Sequence, residues 1–427
     1  MSTSTAHTEL SDFSGTKKAS YVAFIVQAIN NNIAPLLFVV FHFQFNIPIA
    51  QLGLLAALNF GVQLLTDVVA MFVVDKIGYR KPIVIANALS ALGLALLAVL
   101  PMIMEPFAGI CIAIVIYAMG GGLIEVLASP IIEHLPTPKE AKASSMAMLH
   151  SFYCWGQLLV VVVTTLLIAQ FGREHWMWLP LMWAVIPLIN TFIFARVPLP
   201  QTVAEDQRMS LKEMVGTPLF LSALVLMLTG GAAELTMVQW SSFFAEQGIG
   251  VSKETGDLLG IGLFSILMGV TRFSFGMWGH KLDLAKLLML SSFGAGLCYI
   301  VAATSSVAIV SLLACALCGM MIALLWPGTM SLTAARFPYG AAAMFGVLAL
   351  AGDAGGTLGP AAVGVLADSA SGPLSALAAV LPEDNGSGLR TGILLSAIVP
   401  FVFTYTVWSF SKTNRTNAHD LPESSAS

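Results

Sequence analysis

The chain has 427 residues, of which 57% are hydrophobic and only 10% charged, and its mean hydropathy is +0.86. A soluble domain carries about 25% charged residues because its surface faces water, so this composition excludes an ordinary water-soluble globule. The net charge of −4 leaves no basic surface for a nucleic acid, and the five cysteines lie in apolar runs.

Residues 1–16 are polar and rich in Ser and Thr, and they read as a disordered tail. Apolar runs then predict twelve membrane helices, at 20–42, 51–74, 82–103, 107–132, 145–170, 176–196, 217–245, 256–279, 286–303, 307–335, 341–368 and 389–411. The first run has no small-residue cleavage site behind it and reads as a retained helix. Residues 412–427 read as a second disordered tail. The longest charged stretch, 197–216, contains Glu205, Asp206, Arg208, Lys212 and Glu213. It reads as a cytoplasmic linker between two bundles of six helices, 17–196 and 217–411. The predicted fold class is therefore an all-α membrane protein of two pseudo-symmetric six-helix bundles. Cys315 and Cys318 have C-x-x-C spacing, but on an apolar helix with no metal partner, so they read as packing thiols.

Basic residues predict the orientation. With the N-terminus inside, the outer loops hold only Arg173, Lys253 and Arg390, and Arg272 lies within a helix, so fifteen of the nineteen basic residues fall on the inner side. That bias predicts both termini in the cytoplasm and the chain in the cytoplasmic (inner) membrane. An internal repeat supports the two-bundle reading. Asp67, Asp75, Lys76 and Lys81 recur 205 positions later as Arg272, His280, Lys281 and Lys286, and Pro130 is echoed by Pro327. Transporters built from such repeats hold their solute near the bilayer midplane.

Several motifs carry a resemblance. The loop Asp75-Lys76-Ile77-Gly78-Tyr79-Arg80-Lys81 resembles the D-[RK]-x-G-x-[RK]-[RK] signature of the major facilitator superfamily, with Met71 where a glycine is usual. Gly120-Gly121-Gly122-Leu123-Ile124-Glu125, continuing to Ala128-Ser129-Pro130, is similar to the G-x-G-x-x-E-x-x-A-N-P motif of the fucose-permease-like sugar/proton symporters. Ser129 replaces the asparagine. His150-Ser151-Phe152-Tyr153, followed by Gly156, is similar to that family's H-x-F-[YN]-x-x-G, and Glu234 followed by Trp240 to its E-x-x-x-x-x-W. The resemblance implies the major facilitator fold, alternating access, and a proton-binding glutamate at Glu125. Asn31 stands where that family carries a protonatable aspartate in helix 1, so its two-carboxylate scheme does not transfer whole.

An ionisable side chain within a bilayer costs several kcal/mol unless it is paired or faces water, so each one demands an explanation. Glu125 and Glu234 are the candidate proton-coupling groups, the alternative for each being a structural hydrogen bond. Asp353, flanked by glycines, is a candidate solute contact with tight packing as the competing reading. Asp67 and Arg272, with Asp75, Lys76, Arg80, Lys81, His280 and Lys281, are the candidate gate charges, since an ion pair can form in one state and hydrate in another. Polar stripes mark the candidate solute cavity: Gln27, Asn30 and Asn31, then Asn59 and Gln63, then His150, Tyr153 and Gln157. Helix–helix hydrogen bonding is the alternative for any one of them. Trp155, Trp240 and Trp326 lie inside predicted helices, where their rings suit stacking against a sugar's C–H face. Trp176, Trp178 and Trp183 read as interfacial belt residues.

No P-loop, dinucleotide fingerprint or H-E-x-x-H motif occurs. The chain reads as a non-enzyme without cofactor or metal, a monomer whose partners are a small solute, protons and lipid. The leading expectation is proton symport of a sugar or sugar-like solute. A proton-driven exporter of amphipathic compounds and an uncoupled facilitator are the alternatives.

Overall fold

In the computed structural model, the described residues are 13–47, 49–202, 209, 211–245, 249–250, 260, 262–383 and 388–419. They are helical, with no strand among them. The chain divides into two units, residues 1–211 with 337–350 and residues 212–336 with 351–427. The first contains α1 (Ser14–Phe45), α2 (Ile49–Ile77), α3 (Arg80–Ile103), α4 (Pro106–Glu133), α5 (Lys139–Phe171) and α6 (Trp178–Arg196). The second contains α7 (Pro218–Phe243), α8 (Leu263–Trp278), α9 (Leu284–Thr304), α10 (Ala308–Ile322), α11 (Leu325–Arg336), most of α12 (Ala341–Asp368), α13 (Leu389–Ser396) and α14 (Ile398–His419).

Each of the twelve predicted segments is mainly helical over its described residues, and nine stretches among the described residues are long and apolar enough to cross a bilayer. Several expectations need correction. α1 begins at Ser14, inside the predicted tail, and α14 continues to His419. Predicted helix 10 is broken at residues 323–324, before Pro327, and predicted helix 12 at Ala397, before Pro400. A proline lacks the N–H that the carbonyl four residues earlier needs. Glu205, Asp206, Arg208 and Lys253, and the start of predicted helix 8, lie outside the described residues, as do 1–12 and 420–427.

Local chemistry fixes several helix ends. Glu105 accepts from the N–H groups of Phe107 and Ala108 ahead of Pro106, and Thr217 accepts from Phe220 ahead of Pro218. Asp283 accepts from the N–H of Lys286, and that bond holds its carboxyl below the usual carboxylate range. In the signature loop Gly78 has φ +78°, the left-handed region that favours glycine.

In the first unit, Ile29, Ile33, Leu37, Phe41, Leu97, Ile114 and Tyr117 form a buried core. Trp176 and Trp183 belong to it, correcting their assignment as belt residues. Trp183 donates to Thr164 Oγ1 at 3.0 Å and Trp176 packs edge-on to Phe41. Of the three, Trp178 alone stands exposed. Large apolar side chains such as Phe72 (58% exposed) and Leu290 (70%) face outward, the inverse of a soluble protein and the pattern that lipid favours. In the second unit α7 crosses α12 at paired glycines. A Cβ on Gly231 would collide with the Gly352 carbonyl, and one on Gly355 with that of Leu228.

Candidate functional site

Most of the polar stripes converge in the first unit. Asn31 on α1 is the hub: its Oδ1 accepts from Gln63 Nε2 at 2.6 Å and Asn59 Nδ2 at 3.2 Å, and its Nδ2 donates to Tyr153 OH at 3.3 Å. Three helices, α1, α2 and α5, thus meet through neutral amides and one phenol. Gln157 donates to Asn32 Oδ1 at 3.5 Å. Asn32 was missed in the sequence reading, although it sits in the Asn30-Asn31-Asn32 run. Asn30 turns away from the hub, donating to Ser90 Oγ at 2.9 Å and to the Tyr117 carbonyl at 3.2 Å, so it ties α1 to α3 and α4.

Glu125 lies beside this hub. Gln27 Nε2 donates to its Oε2 at 2.5 Å, while the Gln27 Oε1 and Asn59 Oδ1 atoms are buried acceptors with no donor among the described residues. A carboxylate oxygen of Asp67 lies within 4.8 Å of one on Glu125. The structure therefore sets Asp67, grouped with the gate charges by sequence, next to the candidate proton carrier. The three glycines before Glu125 make this approach possible. Gly120 packs on α3 at Ala86 and Ser90, Gly121 faces Asn30 and Gln63, and Gly122 abuts Asp67 and the Gln63 carbonyl. His150 is buried, its ring edge-on to Phe24 at 4.9 Å, while Trp155 and Tyr153 are half-buried.

The signature loop is split among tasks. Asp75 is buried and accepts from the N–H groups of Ala342 and Ala343 at 3.2 and 3.3 Å, capping the start of α12 within the first unit. Met71, standing where a glycine is usual, packs against Gly346 of that same helical turn. Arg80 donates to the carbonyls of Phe194, Ala195 and Val197 at 2.9–3.1 Å, closing the C-terminal end of α6. Lys76, Lys81, His280 and Lys281 are exposed, and they make no ion pair among the described residues.

In the second unit Glu234 and Arg272 come together, Arg272 Nη2 lying 2.9 Å from Glu234 Oε2. The glycines before Glu234 serve helix packing, and α7 runs through them unbroken. Trp240 donates its indole N–H to the Pro360 carbonyl at 2.9 Å, and its ring lies over Gly364. Trp326 lies against Gly352, next to the half-buried Asp353.

Comparison with known proteins gives one family. Residues 19–360 match the profile of the Major Facilitator Superfamily. No curated protein sequence matches the chain. Among solved structures, it superposes on the major facilitator transporter FucP with TM-score 0.77 at 16% identity, over 92% of this chain and 98% of that one. On a structure of the E. coli fucose:proton symporter the values are 0.75, 16%, 93% and 99%. On the proton:xylose symporter XylE they are 0.74, 14%, 94% and 96%.

Proposed function

Since the chain belongs to the Major Facilitator Superfamily, a family of multi-pass membrane transporters, we propose that it moves a small polar solute, a sugar or sugar-like compound, by alternating access with proton symport. The observation that carries this reading is the Glu125–Asp67 pair beside the Asn31 amide hub. Two carboxylates within 4.8 Å of each other repel by about 1 kcal/mol or more in water and several-fold more in protein. A proton taken up by the pair from one side relieves that repulsion, and its release to the other side completes the cycle. The second carboxylate of the scheme is then Asp67 on α2, which answers the neutral Asn31 on α1. Gln27, Asn31, Asn59, Gln63 and Tyr153 offer the alternating donors and acceptors that hydroxyl groups require. Trp155, Trp240 and Trp326 are candidate stacking rings. The fucose and xylose carried by the two structural neighbours make those sugars the first to test. The basic-residue bias supports cytoplasmic termini in the inner membrane, and a monomer in lipid suffices for the cycle.

The test is uptake of labelled fucose, xylose and glucose into proteoliposomes. Uptake should rise with an inward proton gradient, and Glu125→Gln, which keeps an oxygen for Gln27, should lose that response while still binding sugar. Sugar uptake indifferent to the gradient would leave an uncoupled facilitator. Drug sensitivity of a deletion strain, without uptake of any sugar, would favour the exporter.

A further inference from the structure

Arg272 is 3% exposed, and its guanidinium reaches acceptors on two separate segments. Its Nε donates to the carbonyl of Ala323 at 2.7 Å, and its Nη2 to Glu234 Oε2 at 2.9 Å. Ala323 sits at the break between α10 and α11. In a continuous helix its carbonyl would accept from residue 327, but Pro327 has no N–H. The ladder resumes one residue later, where Gly328 donates to the Leu324 carbonyl at 2.8 Å. The guanidinium thus supplies the hydrogen bond that Pro327 withholds. Glu234 is the more open partner, its side chain 19% exposed against 4% for Arg272.

The repeat offers an internal control. Asp67 holds Arg272's place in the first half and Pro130 that of Pro327, yet α4 passes through Pro130 unbroken. A carboxylate at that place has no donor to offer a loosened carbonyl, whereas an arginine has five.

The geometry points to Arg272 as a positioning residue that holds Glu234 as a hydrogen-bond acceptor for the solute and ties it to the Pro327 break. This rests on the reading of Glu234 as solute-facing. It leaves the coupling proton with the Glu125–Asp67 pair, because Glu234 is already engaged by the Arg272 guanidinium. It also favours solutes rich in hydroxyl donors over organic acids, whose carboxylates Glu234 would repel.

The full chain, purified in detergent and in proteoliposomes, tests this with Arg272→Met, Pro327→Ala and the double variant. Pro327→Ala restores an N–H that can reach the Ala323 carbonyl. The double variant should therefore recover at least half of the melting-temperature loss of Arg272→Met. Its KM for fucose or xylose should stay at least tenfold above native, because the Glu234 partner is still missing. Glu234→Gln should raise KM while leaving the proton response of uptake intact. If Arg272→Met does not accumulate, Arg272→Gln in the same two backgrounds gives the comparison. A double variant no more stable than the single one would overturn the link to the break. A native KM in Arg272→Met/Pro327→Ala or in Glu234→Gln would overturn the positioning role. If the native protein takes up no sugar, the functional reading fails, whereas the melting comparison still decides the Arg272–Ala323 link.

Discussion

Arg390 offers a direct test of how buried charge is used here. It lies in the first turn of α13, 4% exposed, and its Nη1 donates to the carbonyls of Ala303 and Ser305, each at 2.9 Å. α9 ends at Thr304, so these carbonyls are among those that a helix end leaves without partners. The guanidinium also sits 5.7 Å from the centroid of the Phe244 ring. Arg390→Met keeps the length and apolar bulk of the stem but removes both bonds, leaving the Ser305 carbonyl only the 3.4 Å contact from Ser311 Oγ. Charge-assisted hydrogen bonds contribute about 1.5–3 kcal/mol each, so two set a scale of about 3–6 kcal/mol. The ring contact adds about 0.5–2 kcal/mol. Arg390→Lys retains the charge but not the planar fork, and about half of that loss is expected. Melting in detergent, followed by tryptophan fluorescence, should rank native above Lys and Lys above Met. The ranking is the readout because a helical membrane bundle need not unfold in two states. A methionine variant that melts with the native protein would refute the reasoning.

Other predictions follow from the same geometry. A Cβ on Gly122 would lie 2.8 Å from Asp67 Oδ1 and 2.9 Å from the Gln63 carbonyl, whereas one on Gly121 meets nothing closer than 3.4 Å. Gly122→Ala should therefore cost about 1–3 kcal/mol, and Gly121→Ala should be neutral or slightly stabilising by melting temperature; equal losses would contradict the packing. Asp75→Ala removes the cap of α12, a loss of about 0.5–2 kcal/mol, and should appear as faster amide exchange over 341–346 with little change elsewhere. Burial pushes the His134 imidazole below its ordinary range, and its ring nitrogen lies 2.7 Å from the Pro130 carbonyl. A depressed histidine binds fewer protons folded than unfolded. The stability tied to its neutral form is thus present above about pH 6.5 and lost as pH falls through the depressed folded value. His134→Gln should flatten the decline in melting temperature on acidification; an unchanged decline would refute this.

Much of this protein is legible along the chain. Apolar runs of about twenty residues mark helices because lipid leaves backbone polar groups no other partner. All twelve segments read that way are mainly helical where described, two of them broken ahead of a proline. Rare carboxylates in those runs stand out at Glu125 and Glu234 because a buried charge is expensive. Their partners were not legible. Gln27 is 98 positions from Glu125, and Arg272 is 38 from Glu234. Nor were the carbonyls that Arg80 and Arg390 meet at the ends of α6 and α9 legible. Long cations reach whichever carbonyls packing brings near, and spacing along the chain does not encode that.

The prolines draw the boundary most clearly. Composition and hydropathy determine that this chain lies in a membrane as two related sets of helices, because those properties depend only on each segment's own transfer from water. At the Pro327 break, what stands across from the freed carbonyl is a matter of packing between distant segments. Arg272 stands across from Ala323, whereas the first half carries Asp67 in its place. Tertiary packing alone puts a donor there, and with it sets the charged environment of Glu234.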